Sequence, residues 1–133
     1  MECSAKTFMR VLIADDQRGV GTMLAELVSK CHHEVVEVVG SGFDAIQAYH
    51  RHRPDIVLMD YFMPRLNGAT ACRNILSRYP AANVVLLSGV AGAEDLNYSG
   101  AIAVLAKPID LLRLKHLLSA PPSPIHEAPA SSA

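Results

Sequence analysis

The 133-residue chain has no tryptophan, only three phenylalanines and three cysteines. Cys3, Cys31 and Cys72 are odd in number and far apart. That argues against a disulfide framework and for reduced thiols that behave as small apolar residues. No apolar run approaches the ~20 residues needed to span a bilayer. Met1 to Lys6 lacks the apolar core of a signal peptide. The formal net charge is −1 with no basic block, so capture of nucleic acid through its phosphates is not expected. Gly40-Ser41-Gly42 is not followed by the Gly-x-x-x-x-Gly-Lys pattern of a nucleotide cradle. These absences predict a cytoplasmic protein that binds neither nucleic acid nor membrane directly.

What is present is a large apolar fraction, 50% of residues, enough for one domain with its own core. Short apolar runs alternate with helical patterns. Strands are expected at Arg10 to Ala14, Glu34 to Val39, Asp55 to Met59, Asn83 to Leu87 and Ala101 to Ala106. Between the first two, Val20, Met23, Leu24, Leu27, Val28 and Cys31 recur at the spacing of one helix face. Ala45, Ile46, Ala48 and Tyr49 suit a second helix that stops before Pro54. A third carries Ala71, Cys72, Ile75 and Leu76 inward and stops at Pro80. A turn or two of helix is expected within Ala93 to Tyr98, and a last helix from Ile109 to Leu118. Composition changes at Ala120, so residues 1–9 read as an extension, 10–119 as the domain and 120–133 as a Pro/Ser/Ala-rich flexible tail. Five strands with helical crossovers predict a doubly wound, flavodoxin-like α/β fold, (βα)5, with a parallel sheet in the order 2-1-3-4-5.

In that order the first and third strands are neighbours. Asp15 and Asp16 end the first, and Asp60 ends the third, so all three acids meet at the carboxyl edge, at the switch point of the sheet. Carboxylates that converge in a cleft raise one another's pKa or recruit a cation. An all-oxygen set favours a hard ion, Mg²⁺ or Mn²⁺. Lys107 ends the fifth strand before Pro108 and adds a positive charge at the same edge. Ser88 ends the fourth strand with a hydroxyl. Taken singly, each of these residues reads equally well as a solvated turn or cap group.

Taken together, they give the chain a resemblance to the receiver domain of two-component response regulators. The motifs are Asp15-Asp16, Asp60 with Met63-Pro64 and Asn67-Gly68, Ser88, and Lys107-Pro108, in order and at strand ends. The resemblance implies that Asp60 accepts a phosphoryl group from a sensor histidine kinase or a histidine phosphotransfer protein. It implies Asp16, Asp60 and the backbone carbonyl of Phe62 as Mg²⁺ ligands, with Asp15 acting through water. It implies Ser88 and Lys107 as partners of the phosphoryl oxygens. Such a domain is a signalling module, not an enzyme on external substrates. It acts on a downstream protein, as a monomer or weak dimer.

The chain departs from the family's pattern in three places. Val104 stands where the family has Tyr or Phe. The stretch from Ser88 to Lys107 is about one helical turn short, so a fourth helix, Gly92 to Ser99, is expected to be short or irregular. Phe62 and Val90, at positions that tune attack by water, are apolar and predict slow loss of the phosphoryl group. Two alternatives stay open: a phosphorylation-independent binding module with this fold, and the receiver part of a longer regulator. An aspartyl phosphatase or mutase is disfavoured, because Asp60 is followed by Tyr61-Phe62 and not by x-Asp. The six histidines lack metal-ligand spacing and read as solvated. Cys72 has no adjacent histidine and reads as inert.

Overall fold

A computed structural model describes residues 8–89, 96 and 98–119. Five parallel strands run β1 (Arg10–Ala14), β2 (Glu34–Val39), β3 (Ile56–Asp60), β4 (Val84–Ser88) and β5 (Ala103–Ala106). The sheet order is β2-β1-β3-β4-β5, as expected from the sequence. Among the described residues, four helices with both ends defined connect or follow them: α1 (Arg18–Lys30), α2 (Gly42–His52), α3 (Gly68–Arg78) and α4 (Leu111–Ser119). No helix among the described residues is long and apolar enough to cross a membrane. The expected extension and tail, and most of the expected Gly92–Ser99 helix, fall on residues 1–7, 90–95, 97 and 120–133, outside the described residues.

Strand alternation divides the core in two, because successive side chains point to opposite faces. Leu12, Ala14, Val57, Met59, Val84 and Leu86 face α2 and α3, against Ala45, Ala48, Tyr49, Ala71, Cys72 and Ile75. Val11, Ile13, Ile56, Leu58, Val85 and Leu87 face the other way, where Leu24, Val28, Leu114 and Leu118 of α1 and α4 cover them. Every residue of β3 and β4 is buried. Covered on both faces, these strands need no polar alternation.

Boundaries differ from the sequence reading where side chains compete with the backbone. Asp55 stands outside β3, and its carboxylate accepts from the Arg10 N–H at 2.8 Å. Asp110 delays α4: its carboxylate accepts from the Leu112 and Arg113 N–H groups at 3.1 and 3.3 Å, capping a helix expected to start at Ile109. Ser99 accepts from the Ala101 N–H, holding that segment in a turn where strand had been expected. β1 and β2 shift register between Val11 and Leu12, which leaves Val36 as a bulge residue.

Two face assignments are also corrected. Met23 is exposed. Gly21 takes the inward place, because the Val38 side chain lies where a Cβ on Gly21 would come within 3.0 Å. His33 is buried, not solvated. Its Nδ1 accepts from the Met9 N–H at 3.1 Å, and the Met9 carbonyl accepts from the Glu34 N–H at 2.9 Å. His33 thus ties the entry of β1 to the entry of β2. His50 hydrogen-bonds the Tyr79 hydroxyl, and His52 meets Glu37 at 2.9 Å.

Candidate functional site

Parallel strands deliver their last residues to one edge, and the sheet order sets which become neighbours. Asp60 is the final residue of β3, and Asp15 follows β1 directly. The Asp15 N–H donates to the Val39 carbonyl at 3.0 Å, and its Oδ1 accepts from the Gln17 N–H at 2.8 Å. Asp15 and Asp60 are buried, while Asp16 is exposed. One carboxylate oxygen from each of the three lies within 4.8 Å of the others. Among the described residues no other group of three or more His, Cys, Asp or Glu side chains converges in this way.

Lys107 reaches this cluster from the end of β5. Its N–H donates to the Ser88 carbonyl at 2.9 Å, which closes the last pair of the β4–β5 ladder. Its Nζ lies 2.7 Å from Asp60 Oδ1 and 3.7 Å from Asp15 Oδ2. The peptide bond between Lys107 and Pro108 is cis. Ser88 is buried at the end of β4, paired in register with Ala106. The structure therefore brings together all five polar residues read from the sequence at one edge.

Phe62, expected to contribute its backbone carbonyl, is 72% exposed.

The electrostatics follow from three carboxylates facing one ammonium. Burial pushes the Asp60 carboxyl above the usual carboxylate range. The Asp15 and Asp16 charges add to the rise, and the Lys107 hydrogen bond offsets part of it. Burial alone would favour a neutral Lys107. The Asp60 and Asp15 carboxylates outweigh that effect, so its pKa lies above the usual value and the side chain stays an ammonium. Asp15 Oδ2 is buried without a hydrogen-bond donor. An orphan carboxylate oxygen in an all-oxygen cluster fits a hard divalent cation, which would satisfy it.

The site also rests on contacts that the sequence reading did not identify. The Gly68 N–H donates to the Tyr61 carbonyl at 2.7 Å. A Cβ on Gly68 would stand 2.3 Å from the Asp60 carbonyl oxygen, so α3 starts against the backbone of Asp60 only because residue 68 is glycine. A Cβ on Gly42 would meet the Leu66 carbonyl at 2.7 Å. Asn67-Gly68 was legible as a motif of the resemblance, but not as this close approach. Asn67 caps α3, accepting from the Thr70 N–H at 2.9 Å. Burial pushes the Cys72 thiol up to about 12, which agrees with an inert role.

Residues 11–119 match the family of the response regulator receiver domain. The chain is 38% identical over 104 residues to the transcriptional regulatory protein PdtaR of Mycobacterium tuberculosis, covering 77% of this chain and 51% of PdtaR. It therefore spans about half the length of that relative. It is 32% identical over 113 residues to the chemotaxis protein CheY of Thermotoga maritima, covering 83% of this chain and 94% of CheY. A chain from the CheX–CheY–BeF3–Mg+2 complex of Borrelia burgdorferi superposes with a TM-score of 0.75 at 25% identity, covering 81% of this chain and 86% of that one.

Proposed function

The chain belongs to the response regulator receiver domain family, and from that premise we propose that Asp60 accepts a phosphoryl group from a phosphohistidine donor, with a divalent cation held beside it. The supporting observation is the convergence of Asp15, Asp16 and Asp60 within 4.8 Å, with Lys107 at 2.7 Å from Asp60. A receiver domain is a signalling domain, and the proposal concerns how this one is charged and discharged.

An ionised Asp60 oxygen attacks phosphorus, the P–N bond to the donor histidine breaks, and an aspartyl phosphate remains. The donor is a sensor histidine kinase or a histidine phosphotransfer protein. Asp16, Asp60 and the Phe62 backbone carbonyl would hold Mg²⁺ or Mn²⁺ directly, with Asp15 through water. The bound cation supplies charge neutralisation for the transferring oxygens. Lys107 keeps Asp60 ionised before transfer. Once Asp60 is converted to the acyl phosphate, its charge moves to the phosphoryl oxygens, and the Lys107 ammonium follows it. Ser88, at the same edge, donates its hydroxyl to a second phosphoryl oxygen. The signal then passes to a downstream protein by contact.

The direct test is intact-mass measurement after incubation with Mg²⁺ and acetyl phosphate. One phosphate adduct is expected, lost in Asp60→Ala and when the metal is chelated. Absence of both adduct and Mg²⁺ binding would favour a phosphorylation-independent binding module. Phe62 has no side-chain donor or acceptor to orient a water at Asp60, so the adduct should decay slowly. An unchanged half-life in Phe62→Asn would contradict that reading. Val90, the other expected flank, lies outside the described residues.

A further inference from the structure

Helices that cross between parallel strands run back against them, so α2 and α3 both end at the amino edge of the sheet, opposite Asp60. Arg53 caps the end of α2, and Arg78 and Tyr79 end α3. Tyr79 is held there as a platform. Its ring centroid lies 5.1 Å from that of the buried Tyr49, and its hydroxyl hydrogen-bonds His50. Two guanidinium carbons lie over this one ring, Arg53 at 4.2 Å and Arg78 at 5.9 Å from its centroid. They are therefore at most about 10 Å apart. A guanidinium packed on a ring is fixed by its face and keeps its N–H edge for other partners. Arg53 commits only its Nε, which donates to the His50 carbonyl at 3.2 Å. Its two Nη groups and all of the Arg78 guanidinium make no hydrogen bond among the described residues.

These two charges are surplus to what the fold uses. The carbonyl end of α2 is already served by Arg10, whose Nη1 donates to the His52 and Arg53 carbonyls at 2.8 and 3.3 Å. Glu37 is taken by Arg51 and His52 at 2.8 and 2.9 Å, and Asp55 accepts from the Arg10 N–H at 2.8 Å. Arg53 and Arg78 are exposed and form no ion pair with a carboxylate among the described residues. Two cations gathered on one ring repel each other, and an anion that bridges them relieves the repulsion. Free guanidinium edges match the planar oxygen pair of a carboxylate. Carboxylates one turn apart on a helix stand about 5–6 Å apart at Cβ, a spacing that two such arms can meet. A nucleic-acid strand fits less well. Its bases need open aromatic faces, whereas Tyr79 carries the guanidiniums and Tyr49 is buried.

We propose that Arg53 and Arg78, braced by Tyr79, form a docking fork for an acidic segment of a partner protein, one that carries two carboxylates about a helical turn apart. The fork lies across the domain from Asp60, so a partner seated on it leaves the carboxyl edge open. The inference does not depend on the phosphoacceptor reading. Exposed charge pairs are individually weak and are screened within about 8 Å at physiological ionic strength, so the contact is a low-affinity one whose strength falls with added salt.

The test is a titration of the full chain into a fluorescein-labelled helical peptide with repeated Glu-x-x-Glu spacing, read by anisotropy at low salt. Arg53→Gln and Arg78→Gln should each weaken binding roughly three- to five-fold, and the pair together ten-fold or more. Arg53→Lys, which keeps the charge and loses the planar edge, should also weaken it. Tyr79→Phe keeps the ring and should bind as the unaltered chain does. Arg113→Gln, on α4 over the opposite face of the sheet, makes the same change in net charge and should have no effect. Equal losses in Arg113→Gln and Arg53→Gln would mean diffuse attraction and overturn the inference, as would no binding of the peptide to the unaltered chain. A single-stranded RNA of equal charge that binds more tightly than the peptide, and is lost in the same two variants, would overturn the assignment to an acidic protein segment.

Discussion

The centre of the sheet and its β5 edge have opposite characters. β3 and β4 are buried along their whole length, with helices packed on both faces. β5 is four residues long and only Leu105 in it is buried. Val104 is 40% exposed, and on the neighbouring helix α4 Leu111 and Leu112 are 50% and 73% exposed. Asp60 comes from the first region and Lys107 from the second. The proposed phosphoacceptor is thus fixed by a core that resists deformation, while the ammonium paired with it is carried by an edge with far less holding it. Elements that must respond to a ligand or modification are drawn from the less stable parts of a fold. The Lys107–Asp60 contact is where the two regions meet.

That contrast can be broken most forcefully at the centre. Leu86→Ala removes a fully buried side chain and should cost about 3 kcal/mol in denaturant unfolding. A loss below about 1 kcal/mol would mean that the centre is no more tightly packed than the edge. Gly68→Ala forces a Cβ onto the Asp60 carbonyl. It should destabilise by about 2 kcal/mol and also abolish the phosphate adduct, because it moves the backbone of the acceptor.

A smaller, pH-dependent effect belongs to His33. Burial, aided by the neighbouring His32, lowers its pKa. A lowered pKa means that the fold prefers the neutral ring. The stability this contributes is fully present above the unfolded value of about 6.5 and is lost as pH falls through the folded value. Unfolding midpoints measured from pH 7.5 down to 5 should therefore fall more steeply for the unaltered chain than for His33→Gln; parallel curves would count against this. The smallest effect is expected at the edge. Leu112→Ser should change stability by no more than about 0.5 kcal/mol, and a larger loss would show that α4 is held more tightly than its exposure indicates.

Much of this was legible in the sequence. β1 and β2 were placed to the residue at Arg10–Ala14 and Glu34–Val39, since valine, leucine and isoleucine dominate both and polar turns bound them. The strand order came from the alternation of strands and helices. Asp15, Asp16, Ser88, Asp60 and Lys107 were readable because each terminates a run. Phe62 was named for its backbone, and its side chain stands out in solvent. What failed depended on competing side chains or on packing: the Asp110 cap that delays α4, the outward turn of Met23 and the burial of His33. A periodic pattern shows that a helix has an apolar face. It does not show which residue at the margin of that face meets a glycine.

The sequence alone determined which groups would arrive at the carboxyl edge, because a residue at the end of an apolar run needs no knowledge of the rest of the chain. Tertiary structure alone decided what those groups do to one another. Asp15 and Asp60 are 45 positions apart in sequence, and Lys107 is 47 beyond Asp60. Their separations are set by sheet order and register. Those distances leave Asp15 Oδ2 buried without a donor and bring Lys107 nearer to Asp60 than to Asp15. They also make residue 68 a position that only glycine can fill. Electrostatics and steric exclusion act through space, so these features come into being only when distant segments are packed together.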